Sequence, residues 1–242
     1  MRDELKNEVN TQDSQPFKKK RSRRKLYTTL GAVLAVLIVV GIGFTVWHEQ
    51  PSFCGAICHK SMNPYLVNYE QEQGVEGFDK YGNEVSNTNA IMAVVHREND
   101  TTAKSTITCL NCHEPTIAEQ ASEGLAWITG NYLEPLNEKT LGDLTSWRDS
   151  ASTTFCANQN CHNYLVGSDG SIDYKRLEQT TMDMEFNPHR QYHSVQIDCG
   201  TCHKGHRASV QACTSCHQHE NEPIPDGWVT WKESAALMEA SI

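Results

Sequence analysis

Several features that mark common enzyme classes are missing from this chain. It has no GxGxxG segment, no P-loop and no nucleophile elbow. Dinucleotide binding on a glycine turn, P-loop phosphate binding and serine-hydrolase chemistry are therefore excluded. Any flavin or molybdenum chemistry must sit on another chain. Apolar residues are also scarce, at 38% of 242 positions. Beyond residue 25 positive charge is short, with 12 Lys+Arg against 26 Asp+Glu, a net of −14. Such a surface excludes a nucleic-acid partner and suits a protein with a basic docking face, though an acidic exported domain is also simply soluble.

Charge is absent altogether from Leu26 to Trp47, a run of 22 positions. As a helix this run is about 33 Å long, against a bilayer core of about 30 Å. Residues 1–25 hold nine Lys+Arg, ending in the cluster KKKRSRRK, and read as a polar, disordered tail. The basic cluster lies entirely before the apolar run, which predicts a cytoplasmic N-terminus and a single-pass anchor in the cell membrane. Trp47 falls where an interfacial aromatic belongs. A cleaved signal peptide would have a shorter apolar core and a small-residue cleavage site, and no A-x-A pattern precedes Cys54. The predicted organisation is a basic tail at 1–25, an anchor at 26–47 and an extracytoplasmic domain at 48–242.

The ten cysteines form five close pairs with none left over: Cys54/Cys58, Cys109/Cys112, Cys156/Cys161, Cys199/Cys202 and Cys213/Cys216. Directly behind each second cysteine stands a histidine: His59, His113, His162, His203 and His217. Disulfides would explain an even count in an exported chain but demand no histidines. Zinc sites use CxxC pairs but need no histidine after every one. C-x-x-C-H is the signature of covalent c-type haem attachment, in which two thiols take the vinyl groups and the histidine becomes the proximal iron ligand. The reading is five covalently bound haems (haem c). Two motifs depart from the usual spacer, CGAICH with three intervening residues and CANQNCH with four. Because the histidine stays beside the second cysteine, the extra residues can bulge away.

Six histidines lie outside the motifs. His189, His193 and His206 crowd the last two motifs and His96 precedes the second, so these four are the expected distal ligands. Bis-histidine haems are saturated and carry electrons without binding substrate. His219, close behind His217, reads as solvated, with an iron ligand as the alternative. His48 reads as interfacial, with a quinol contact as the alternative. Met62 follows the first motif closely and could coordinate the first iron, raising its potential. The alternative is an ordinary core methionine on the following helix.

About 39 residues per haem remain beyond the anchor. That is too little chain for an ordinary core as well, so the expected fold is mostly α with little regular secondary structure, wrapped around the haems. A helix is expected over KSMNPYLVNYEQEQ, and residues 74–90, rich in Gly, Asn and acids, read as a loop. From Pro115 to Tyr132, Ile117, Ala121, Leu125, Ile128 and Tyr132 recur at helical spacing, predicting a helix with one face packed inward and Pro115 in its first turn. NYLVGSDGSIDY carries a hairpin signal at its Asp-Gly turn.

Two resemblances rest on these residues. A single anchor followed by CGAICHKSMNPYLVNY resembles the NapC/NirT/NrfH family of membrane-anchored quinol-oxidising cytochromes. Cys54, Cys58, His59, Met62, Pro64 and Tyr65 match its motif, with a spacer one residue longer and the methionine displaced by one. The resemblance implies that the methionine, or a group beside it, ligates the first haem. It also implies that menaquinol binds nearby with help from a lysine and an acid, for which Lys60, Asp79 and Lys80 are candidates. The pattern N-P-H-x3-H-x5-CxxCH-x2-H-x6-CxxCH is similar to the tetrahaem domains of flavocytochrome c fumarate reductases and small tetrahaem cytochromes. There the corresponding histidines, here His189, His193 and His206, are distal ligands.

The function expected is electron passage from menaquinol to an extracytoplasmic terminal reductase of nitrite, nitrate or flavoprotein type, in anaerobic respiration. Membrane lipid and the reductase subunit are the other expected partners. A rival from another class is a catalytic multihaem reductase with an open haem acting on a small ligand such as nitrite, but the lysine-ligated motif of such enzymes is missing.

Overall fold

The computed structural model describes residues 23–57, 59–97, 107–113, 115–132, 138, 144, 155–190, 197–217 and 223–240. The basic tail up to residue 22, Cys58, His193, His219 and the side chains of His59 and Lys60 lie outside the described residues. The chain divides into two compact units after Thr45.

Helix α1 spans Arg23–His48 and carries the uncharged run. Lys25–His48 is long and apolar enough to cross a membrane, and none of its apolar window is buried within the protein. Its three threonines turn back on the helix. Thr28 and Thr29 donate to Lys25 O at 3.0 and 2.9 Å, and Thr45 donates to Ile42 O at 2.8 Å. Threonine hydroxyls satisfied within the helix suit a hydrocarbon surrounding.

The second unit begins at Val46. Helix α2 (Pro51–Ile57) starts on a proline, which needs no N–H partner in the first turn. Helix α3 (His59–Tyr69) packs against it. The two approach closely at Gly55, where an added Cβ would lie 2.8 Å from Leu66 Cδ1. The helix expected over KSMNPYLVNYEQEQ thus forms, ending at Tyr69.

Residues 74–90, expected as a loop, instead build the core. Strands β1 (Gly77–Phe78) and β2 (Glu84–Val85) pair antiparallel, Gly77 opposite Val85. Asp79 holds the turn between them, accepting from Tyr81 N (2.8 Å), Asn83 N (2.9 Å) and Asn83 Nδ2 (3.0 Å). A 3-10 turn (Thr88–Ala90) and helix α4 (Met92–Arg97) follow. Val85, Ala90, Ile91, Val94 and Ala208 form one buried cluster, with Ala93, Trp228 and Val229 against it. Polar residues here close turns on themselves, which frees a few small apolar side chains to be buried. Composition alone reads such a segment as solvated.

Backbone hydrogen bonds join this segment to residues 204–210. Met92 N donates to Lys204 O (3.0 Å), Ala93 N to Gly205 O (2.8 Å), Lys80 N to His206 O (2.9 Å) and Ser209 N to Ala90 O (3.0 Å). Strands β3 (Val210–Gln211) and β4 (Val229–Thr230) pair in parallel, Val210 opposite Val229, before the C-terminal helix (Trp231–Ala240). Gly227, at φ +81°, permits the tight approach of this segment to Asn87.

Helix α5 is the single turn Cys109–Cys112. Helix α6 spans Ile117–Thr129 between a Thr116/Glu119 capping box and left-handed Gly130 at φ 70°. Pro115 thus precedes the cap and is not in the first turn. The expectation that its apolar face packs inward is overturned. Ile117, Leu125 and Ile128 are 86%, 62% and 74% exposed. The residues turned toward the protein include Glu119, Gln120 and Trp127. The hairpin signal in NYLVGSDGSIDY materialises as one antiparallel bridge, Val166 to Ile172, ahead of helix α7 (Tyr174–Thr180). Helix α8 is the turn Cys199–Cys202. Among the described residues the fold is mostly helical, as expected, and every strand is two residues long.

Candidate haem sites

In each of the four motifs described in full, the histidine N–H donates to the carbonyl of the first cysteine. The distances are 2.8 Å for His113 to Cys109 O, 3.1 Å for His162 to Cys156 O, 2.9 Å for His203 to Cys199 O and 3.0 Å for His217 to Cys213 O. In the CxxCH motifs this is a single helical turn, which brings both thiols and the imidazole together. Thr108 with Asn111, and Asp198 accepting from Gly200 N, cap two of these turns. CANQNCH closes the same contact around a loop two residues longer. Asn158 absorbs the excess, its Oδ1 accepting from Asn160 N (2.8 Å) and Cys161 N (3.2 Å) while its Nδ2 donates to Phe155 O. The odd spacer is therefore an Asx turn hung on an otherwise ordinary motif. None of the nine described cysteines is in a disulfide.

Three motif histidines each meet a histidine from outside the motifs. Ring centres are 6.1 Å apart for His96 and His162, 6.2 Å for His113 and His206, and 6.2 Å for His189 and His203. Metal–imidazole bonds of about 2.0 Å on both sides, plus the ring radii, put ring centres roughly 6 Å apart, so the spacing of each pair would admit one metal ion between the rings. The last two pairs are near-parallel, at 28° and 5°, and the first is near-perpendicular at 89°.

The tautomers of the outer histidines follow from their partners. His96 Nδ1 lies 2.8 Å from Met92 O, which can only accept, so Nδ1 carries the proton. His206 Nδ1 lies 3.1 Å from Asn68 Oδ1, and that amide is oriented by Nδ2 donating to Phe78 O at 2.9 Å. His189 Nδ1 lies 3.2 Å from Thr181 Oγ1, whose own proton goes to Leu177 O at 2.8 Å. In all three neutral rings the lone pair is left on Nε2, the arrangement of a metal-binding histidine steadied through its other nitrogen. Asn68 and Thr181 carried no sequence signal, because each is defined only by the ring it touches.

Burial favours the neutral, ligating form. It pushes His206 down to about 3, helped by His113 and the Lys80 ammonium. His203 is brought to about 4 by burial and then by His189, His96 and His162. Burial also lowers His162 and His189. His203 thus feels both members of the His96/His162 pair, and the Cys156 and Cys199 thiols share a hydrogen bond. The third and fourth motifs are immediate neighbours.

The remaining expectations fall differently. His217 and Cys216 are exposed. Met62 is half-buried on α3. His48 sits edge-on to Phe53 at 4.8 Å, with Nε2 3.3 Å from Gln120 Oε1. Asp79 is buried with its carboxylate committed to its own turn. Lys80, also buried, places its ammonium 5.2 Å from the Tyr65 ring centre and 4.9 Å from that of Tyr81. Tyr65 itself stands edge-on to His206 at 5.1 Å, and burial pushes its phenol up to about 12.

Paired cysteines, adjacent histidines and opposed neutral imidazoles are the donor set of a multihaem c-type cytochrome. The cytochrome c3 family profile matches residues 143–218. Over 218 residues, the chain is 48% identical to the cytochrome c-type protein Cgr1 of Eggerthella lenta, covering 90% of this chain and 93% of that one. The chain belongs to this family of multihaem c-type cytochromes, which hold haem c covalently and exchange electrons with redox partner proteins. No solved structure matches it.

Proposed function

We propose that the chain is a single-pass, membrane-anchored pentahaem cytochrome that passes electrons from menaquinol to an extracytoplasmic terminal reductase. Residues 1–25 are cytoplasmic, 26–47 lie in the membrane and 48–242 carry the haems outside. The N-terminal part is of NapC/NirT/NrfH type, and the C-terminal part is akin to the tetrahaem domain of fumarate reductases.

The reading is carried by the histidine pairs, each joining a motif histidine to one outside the motifs at 6.1–6.2 Å. Cys109 and Cys112 hold a haem between His113 and His206, Cys156 and Cys161 one between His162 and His96, and Cys199 and Cys202 one between His203 and His189. Cys213, Cys216 and His217 hold another with His193 as the remaining outer histidine. Cys54, Cys58 and His59 hold the first, with Met62 as its second ligand. When bound, haem supplies a reversible one-electron iron couple. With both histidines of a pair binding the iron, the three paired sites would leave no position for a small-molecule substrate. The menaquinol site then belongs to the first motif, nearest the anchor.

The test is haem per chain by pyridine haemochrome, followed by mixing with a reduced menaquinol analogue. Five haems and rapid reduction are expected. Three haems would remove Cys54/Cys58 and Cys156/Cys161 from the set, while five haems that stay oxidised would remove the quinol.

A further inference from the structure

Helix α6 is inverted relative to a helix of a soluble domain. Ile117, Ala121, Leu125 and Ile128 fall on one stripe at helical spacing, and all four are exposed. The arc toward the protein carries Glu119, Gln120 and Trp127 instead. A stripe this apolar is rarely left in water on a soluble surface. Its neighbour says what covers it. Gln120 Oε1 reaches His48 Nε2, and His48 is the last residue of α1. Trp47, 39% exposed, packs edge-on to Phe53 at 5.0 Å beside the same histidine. Helix α6 is thus tied, through Gln120 on its protein-facing arc, to the residue that follows the uncharged run. Helix α6 contains no lysine or arginine, so attraction to anionic headgroups is not its mode of binding.

We propose that α6 lies along the membrane surface, with Ile117, Ala121, Leu125 and Ile128 set into the boundary between headgroups and acyl chains. The proposal rests on α1 being a membrane anchor. It gives the haem domain an attachment to the membrane of its own, besides α1.

The experiment uses full-length, haem-loaded protein in vesicles of phosphatidylethanolamine and phosphatidylglycerol. The photo-reactive residue p-benzoylphenylalanine replaces Leu125, Val39 within α1, or Lys175 on α7, one at a time. Lipid adducts at Val39 and Leu125 with none at Lys175 are expected. A lipid adduct at Val39 without one at Leu125 overturns the proposal and leaves the anchor standing. A protein adduct at Leu125 overturns it in favour of a partner or second copy on this face. No lipid adduct at Val39 overturns the anchor and the proposal with it. The same replacement at Ile128 repeats the test should Leu125 prove unable to carry the probe.

Discussion

Residues 74–94 and helix α6 invert one another. The first is rich in glycine, asparagine and acids, yet it supplies Val85, Ala90, Ile91 and Val94 to the buried cluster. The second has regular apolar periodicity, yet none of its residues is buried. The difference teaches that periodicity reports that a face is covered without saying by what. Conversely, polar residues that satisfy one another in turns, as Asp79 and Asn83 do, leave a segment free to fold inward.

The sharpest way to break this comparison is to truncate both regions. Ile91, with 0% exposure, should cost roughly 2–5 kcal/mol as Ile91→Ala. Thermal unfolding of detergent-solubilised protein, followed by circular dichroism, measures it. A cost near zero would take Ile91 out of the core and leave residues 74–90 as the solvated loop their composition suggests.

Gly227→Ala comes next. A Cβ there meets the Asn87 carbonyl at a backbone φ of +81°, so about 1–3 kcal/mol is expected in the same assay. Asn68→Ala should cost about 1–3 kcal/mol by leaving His206 Nδ1–H buried and unpaired. It should also loosen that ring, adding a high-spin fraction to the electron paramagnetic spectrum. Asn68→Asp, which keeps an acceptor, should restore the low-spin signal. Unchanged spectra in Asn68→Ala would break the link between that amide and the His113/His206 site.

A smaller effect near neutrality is expected from acid. The folded-state values of His206 and His203 lie below the ordinary histidine value, at about 3 and about 4. The unfolded chain therefore takes protons first. Stability should be full above the model-peptide value of about 6.5 and drain as pH falls from there, through about 4 for His203 and about 3 for His206. The low-spin absorption spectrum should persist through that window, and its loss near pH 6 would contradict buried, neutral rings. The smallest effect is Leu125→Ala, within about 0.5 kcal/mol in detergent, because the side chain is 62% exposed. A loss as large as that of Ile91→Ala would place the α6 stripe inside the protein after all.

The paired cysteines with their histidines were legible because the covalent haem attachment proposed for them needs two thiols and a histidine close together in sequence. The long spacer of CANQNCH was legible as a bulge but not as an Asx turn, since that depends on where the Asn158 amide points. The core segment was illegible because its hydrogen bonds run to residues 204–210, more than a hundred positions away.

By itself the sequence determined the class of protein, the uncharged run of α1 and the stock of histidines, because each is a matter of local spacing and composition. Only the tertiary structure decided that His96 meets His162, that His206 meets His113 across 93 positions of chain, and that His189 meets His203. Ring pairing is set by how residues 79–93 are sewn onto residues 204–210 and by which oxygen holds each Nδ1. Those are contacts between distant segments, and no local pattern encodes them.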